Sequence, residues 1–291
     1  MTNPMELFIQ SPLAYLLSVG AFGLVIGSFL NVVIHRIPIM LERQWTRDCQ
    51  EHLGAAHAVQ QETPYNLLSP PSTCPECGHR IRAWENIPVL SYLFLRGKCA
   101  RCGASIAMRY PLVEILTAGL SVMVAWRFGL SLATLAALAL TWTLIALAMI
   151  DLETKLLPDT LTLPLLWLGL LVNLDGTFAE LQASVIGAAA GYLSLWSIYQ
   201  LFRLLTGKEG MGYGDFKLLA VLGAWLGWAA LPQIILLSTL IGATVGIGLI
   251  AIRGRDRNVP IPFGPYLAAA GWIALMWGPQ INHWYLDVAL R

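Results

Sequence analysis

Two kinds of residue in this 291-residue chain are placed to do chemistry: aspartates at the margins of long apolar runs, and cysteines in pairs. The stretch GMGYGDFK (210–217) sets Asp215 behind three glycines and just ahead of an apolar run. MIDLETKLLPD (149–159) sets Asp151 at the end of another. Two buried carboxylates held close together share one proton, so that one is ionised while the other carries it. Such a pair can activate a water and protonate a leaving amine, which is the aspartic route to peptide hydrolysis. The glycines would let a substrate backbone approach Asp215 and would loosen the helix entry. A plainer reading competes with this one. Aspartates at helix ends cap helices or pair with nearby lysines, here Asp215 with Lys217 and Asp151 with Lys155. Asp159, after Pro158, has the look of a boundary residue. Glu114 in RYPLVE (109–114) either acts in its own right or neutralises Arg109. Pattern alone does not choose between catalysis and capping.

Four of the five cysteines form two C-x-x-C-G knuckles, CPECGH (74–79) and CARCGA (99–104). In this turn two thiolates converge on one ion, and the glycine serves a position that often needs positive φ. Cys74, Cys77, Cys99 and Cys102 make a closed four-sulfur set, the arrangement of a structural zinc site. Iron is the other metal that tetrahedral sulfur suits, and ligand type and compartment favour zinc. Disulfides are the competing reading, disfavoured by a cytoplasmic location. Cys49 stands alone, and His79 is a spare ligand that four cysteines make unnecessary.

The elements that must position these groups are strongly apolar. Hydrophobic residues make up 57% of the chain and charged ones 12%, and the mean hydropathy is +0.64, which is few charges for a soluble domain. Crossing a bilayer takes about 20 mostly apolar residues. Stretches at roughly 12–34, 110–127, 131–150, 157–173, 181–202, 217–231, 234–252 and 262–278 fit, those near 110–127 and 217–231 least well. Backbone inside a bilayer must bond to itself. The expected fold is therefore an all-α polytopic membrane protein. It has about eight transmembrane helices, with a small zinc-binding cytoplasmic module inserted after the first.

The expected divisions are a first helix within 1–34, the module at 35–109, and a helical bundle at 110–291 carrying the acidic site. The residues before the first run include Glu6 and no Lys or Arg, unlike a cleavable signal. With the N-terminus outside, every Lys and Arg except Arg127 and Arg291 falls on the inner side, in 35–109, 151–156, 203–216 and 253–261 or at their edges. Both acidic clusters then face that same side. A net charge of +1 points to no nucleic-acid partner. Glycines four apart, Gly187/Gly191, Gly223/Gly227 and Gly242/Gly246, fit close helix packing.

Taken in order, GSFLNVVIHRIP (27–38), the paired knuckles, RYPLVE, DLETKLLPD (151–159) and GYGD (212–215) resemble the bacterial type IV prepilin peptidases over nearly the whole chain. These are bifunctional leader peptidases and N-methyltransferases, similar in the GxGD motif to presenilins and signal-peptide peptidases. The resemblance implies that Asp151 and Asp215 are the catalytic aspartates. It implies cleavage of type IV prepilins and type II secretion pseudopilins after the glycine ending a short basic leader. Methylation of the new N-terminal residue with S-adenosylmethionine would follow, in a multi-pass protein of the bacterial inner membrane with a periplasmic N-terminus and a cytoplasm-facing site. The four-cysteine module favours the bifunctional form over a peptidase alone. No glycine-rich fingerprint marks the methyl-donor site, for which Asn31, His35 and Arg36 are polar candidates. Two unrelated readings are a proton- or metal-coupled transporter and a docking scaffold. The first is disfavoured because the acids cluster at one face, with no chain of ionisable residues through the bundle centre, and the second supplies no reason for GYGD.

Overall fold

The apolar runs are helical throughout the computed structural model, which describes residues 11–53, 64–208, 210–253 and 262–289. Glu6, Arg291 and most of the inner segment 253–261 lie outside the described residues. The chain divides into two compact units, Met1–Gly129 and Leu130–Arg291. Among the described residues there is no β-strand, only the isolated bridges Thr73↔Arg80 and Lys98↔Ser105.

The first unit contains α1 (Pro12–His52), the short α2 (Leu90–Phe94) and α3 (Arg109–Phe128). The Ser11 side chain accepts from Ala14 N–H and Pro12 opens the helix, a start in which the missing proline donor costs nothing. The helix does not stop at the first charges. It runs through His35 and Arg36, past Pro38, to His52. Gly20, Gly23 and Gly27 of α1 face Val122, Ala118 and Glu114 of α3, so the two helices run antiparallel. A Cβ on Gly27 would sit 2.6 Å from the Glu114 Cα, which is the close backbone approach that small residues permit between membrane helices. Buried Asn31 adds a hydrogen bond to the Tyr110 carbonyl at 3.1 Å.

The second unit is a bundle of α4 (Leu132–Thr154), α5 (Asp159–Val172), α6 (Leu181–Thr206), α7 (Tyr213–Leu226), α8 (Leu231–Arg253) and α9 (Gly264–Ala289). At its centre is α7, with Phe216, Leu218, Leu219, Val221, Leu222, Ala224 and Trp225 fully buried. It crosses α6 where Gly187 meets Gly223 and Gly191 meets Leu219, a use of two of the glycine pairs named above. Asn173 secures the far end of α7. Its amide donates to the carbonyls of Ala224 and Trp225 at 3.0 and 2.9 Å. These are terminal carbonyls without intrahelical partners, which need an outside donor when buried.

Among the described residues, five helices are long and apolar enough to cross a membrane: Pro12–His52, Arg109–Phe128, Leu132–Thr154, Leu181–Thr206 and Trp228–Gly248. Helices α5 and α7 have 14 residues each, about 21 Å at 1.5 Å per residue. That is short of a hydrocarbon core about 30 Å thick.

Candidate active site and metal centre

Three helix ends build the acidic site within the second unit. Asp151 lies in the last turn of α4, which stops at Lys155 in a left-handed conformation (φ 58°). Asp215 lies in the first turn of α7, behind its N-cap Gly212. Gly264 opens α9. Both aspartates are buried, at 5% and 8% exposure, and Leu157 lies against both Gly214, next to Asp215, and Gly264, which touches Asp151. The Gly264 N–H donates to Oδ2 of Asp151 at 2.9 Å. A Cβ on Gly264 would meet that same oxygen at 2.6 Å, so only glycine lets this backbone N–H reach the carboxylate.

Lys217 bonds both oxygens of Asp159 at 2.7 Å, tying the start of α5 to the second turn of α7. Among the described residues neither Asp151 nor Asp215 forms an ion pair. The three glycines before Asp215 divide their work. Gly210 packs on the Phe202 ring. A Cβ on Gly214 would strike the Leu157 Cβ at 2.7 Å. Gly212 alone faces open space. Leu157, from the turn after α4, thus wedges between Gly214 and Gly264 and locks the three helix ends together. Space for a peptide backbone is left at Gly212, not along the whole motif.

In the first unit the four knuckle sulfurs lie within 4.8 Å of one another. Cys74 and Cys102 are 3.8 Å apart, and Cys77 and Cys99 are 4.0 Å apart. A tetrahedron with metal–sulfur bonds of about 2.3 Å has edges of about 3.8 Å, so these two edges match a zinc site and the set is compact enough to close on one ion. The two knuckles share one pattern: Gly78 N–H bonds the Cys74 carbonyl and Gly103 N–H the Cys99 carbonyl. Both glycines have positive φ, 67° and 74°, as their position requires. Backbone N–H groups of Cys102 and Arg101 lower the Cys99 thiol, while the neighbouring sulfurs keep Cys102 raised, so the first thiolate of the set forms at Cys99. His79 lies within 3.1 Å of Glu85, and the Arg82 N–H holds that carboxylate below its ordinary range.

Of the polar residues in GSFLNVVIHRIP, Asn31 and Arg36 are committed internally. Arg36 donates to the carbonyls of Asn66 and Pro70 at 2.8 and 2.6 Å, whereas His35 is exposed. Glu114 accepts from the Val89 N–H at 2.7 Å.

Residues 21–128 match the bacterial peptidase A24 N-terminal domain, and residues 138–247 match the type IV leader peptidase family. A prepilin leader peptidase/N-methyltransferase of Aeromonas hydrophila is 61% identical over 282 residues, 97% of each chain. The chain belongs to the type IV leader peptidase family. Proteins of the same name from Aeromonas salmonicida (strain A449) and Pseudomonas aeruginosa are 59% and 56% identical, over the whole and over 98% of each chain. No solved structure matches the chain. The N-terminal domain match holds all four knuckle cysteines, and the leader-peptidase match holds both aspartates. Gly264 falls beyond that second segment, which is one reason motif reading passes over it. Its signal was nonetheless present as PFGP (262–265), a glycine between prolines at the mouth of an apolar run.

Proposed function

We propose that this chain is a membrane-embedded aspartic peptidase. It removes the basic leader of type IV prepilins and type II secretion pseudopilins after a glycine, at the cytoplasmic face of the inner membrane. It then methylates the new N-terminal residue. The observation that carries the reading is the burial of Asp151 and Asp215 at helix ends that Leu157 holds together, in a chain that shares 61% identity with a prepilin leader peptidase/N-methyltransferase.

The ionised member of the pair takes a proton from water, and the hydroxide oxygen bonds to the scissile carbonyl carbon. The protonated member hydrogen-bonds the carbonyl oxygen as charge develops there. Collapse of the tetrahedral species breaks the C–N bond as that proton passes to the departing amine. Gly264 fixes Oδ2 of Asp151, so the carboxylate is oriented before substrate arrives, and pre-set geometry of this kind removes part of the barrier. S-adenosylmethionine is consumed as the methyl donor for the freed amine.

Cys74, Cys77, Cys99 and Cys102 would hold zinc in a closed site with no open position, and its role is structural. It staples a polar segment with little core of its own. Every described α-helix except the five-residue α2 is assigned to the bilayer, including the short α5 and α7, with the N-terminus periplasmic and 35–109 as the cytoplasmic module between the first helix and the catalytic bundle. Enclosure supports counting α7 among them: its side chains meet protein rather than lipid.

The test is product mass. Purified protein in detergent, given a prepilin and S-adenosylmethionine, should yield a pilin lacking its leader and carrying one added methyl group. Leader loss without the methyl would reduce the chain to a peptidase. An unchanged prepilin mass would refute the proposal.

A further inference from the structure

We infer that the cysteine module is seated in the bilayer through α2, with Leu90, Leu93 and Phe94 immersed in lipid at the level of the headgroup–acyl boundary. The inference rests on reading Arg109–Phe128 as a membrane span. The first observation is depth. The N–H of Val89, which caps α2, bonds the carboxylate of Glu114, five residues into α3. At 1.5 Å per residue that is about 7 Å along the span. A helical side chain leans back towards the N-terminus, which lifts the carboxylate by up to a turn. The start of α2 is thereby pinned within the first two turns of a membrane helix.

The second observation is independent. The Glu114 backbone packs on Gly27 of α1, two turns before the first charged residues of that helix, His35 and Arg36. Both helices put Glu114 inside the apolar layer, and both put the start of α2 beside it. The third is the surface that α2 presents: Leu90, Leu93 and Phe94 are 52%, 65% and 84% exposed. A large apolar patch open to water is disfavoured, and at this depth the medium is lipid. Exposed Arg96 and Lys98 follow closely after Phe94 in sequence, and basic residues next to an apolar face suit an anionic leaflet. The seat is rigid. The Gly97 N–H bonds the Tyr92 carbonyl, and the Gly97 carbonyl accepts from Ile106 N–H at 2.7 Å. The immersed turn is therefore stitched directly to the second knuckle.

The experiment uses the full chain in nanodiscs of phosphatidylcholine and phosphatidylglycerol, the lipid carrying a diazirine near the top of one acyl chain. Irradiation and peptide mapping read adducts at three places. Leu112 and Ile115, exposed on α3, report whether that helix is a span. Leu53, exposed at the far end of the 41-residue α1, is the control. That helix is about 60 Å long, twice the bilayer core. The expected result is labelling of 90–94 comparable to 112–115 and roughly tenfold above Leu53, unchanged when saturating prepilin is added. Labelling at 112–115 with 90–94 at the Leu53 level would overturn the inference and leave the membrane reading intact. Absence of labelling at 112–115 would overturn the membrane reading itself. Loss of the 90–94 adducts on adding prepilin would assign the patch to the substrate and overturn the lipid seat.

Discussion

At the scale of single residues, the site depends on an atom that is missing. Gly264 has no Cβ, and its N–H therefore reaches Oδ2 of Asp151 in a space that a methyl group would fill. Displacing a positioned catalytic group by about 1 Å is worth roughly 10²-fold in rate. Gly264→Ala should therefore lower kcat for leader removal by about that factor while KM holds, because the substrate's own binding groups are untouched. Methylation of a pilin supplied without its leader should be unchanged and reports that the chain is still folded. A rise in KM with kcat preserved would assign Gly264 to substrate binding instead. The aspartates and the four cysteines are legible in the sequence because each sits in a short local pattern. Gly264 is not, because its partner is 113 residues away. The Lys217–Asp159 pair hides for the same reason: local pattern pairs Lys217 with Asp215, its close neighbour, and the fold brings it Asp159, 58 residues off.

Among the elements, the knuckles and α7 behave differently. Each knuckle is a local turn, so its geometry, including the positive φ of Gly78 and Gly103, follows from C-x-x-C-G alone. Metal analysis of purified protein should find about one zinc per chain by the four-thiolate rule. Cys74→Ser should lose it and render residues 64–108 sensitive to protease; retention of metal by that variant would refute the four-sulfur site. Helix α7 is held by contacts that no local pattern encodes. Asn173, fully buried, donates to two of its last carbonyls and to Ser184 Oγ. Asn173→Ala would leave those carbonyls buried without a donor, at about 1–3 kcal/mol, and should lower the thermal midpoint in detergent. An unchanged midpoint would show that the bonds are replaced by water. The run at 12–34 is read correctly as helix, but its end is not. Charge at His35 and Arg36 reads as a boundary, whereas nothing before residue 53 forbids helix, and Pro38 is absorbed.

For the molecule as a whole, apolar blocks and the one-sided distribution of Lys and Arg carry the all-helical, multi-span architecture in the sequence itself. Span length is harder to read, because α5 and α7 are too short to cross unaided. Helix α7 is enclosed by its neighbours, a tertiary property. The division of labour is also a whole-molecule property. The cysteine centre is built within the first unit and both aspartates within the second, and because methyl transfer breaks no peptide bond, cleavage should be separable from it by mutation of the aspartates. The decisive measurement compares wild type with Asp151→Asn, Asp215→Asn and Asp159→Asn in the same detergent, reading leader removal and methylation of a leaderless pilin by mass. Asp151→Asn and Asp215→Asn should each lose at least about 10³-fold in cleavage, as removal of a group from a catalytic unit does, with methylation intact, while Asp159→Asn continues to cleave. Cleavage surviving in either Asp151→Asn or Asp215→Asn would contradict the assignment of this pair as the peptidase centre.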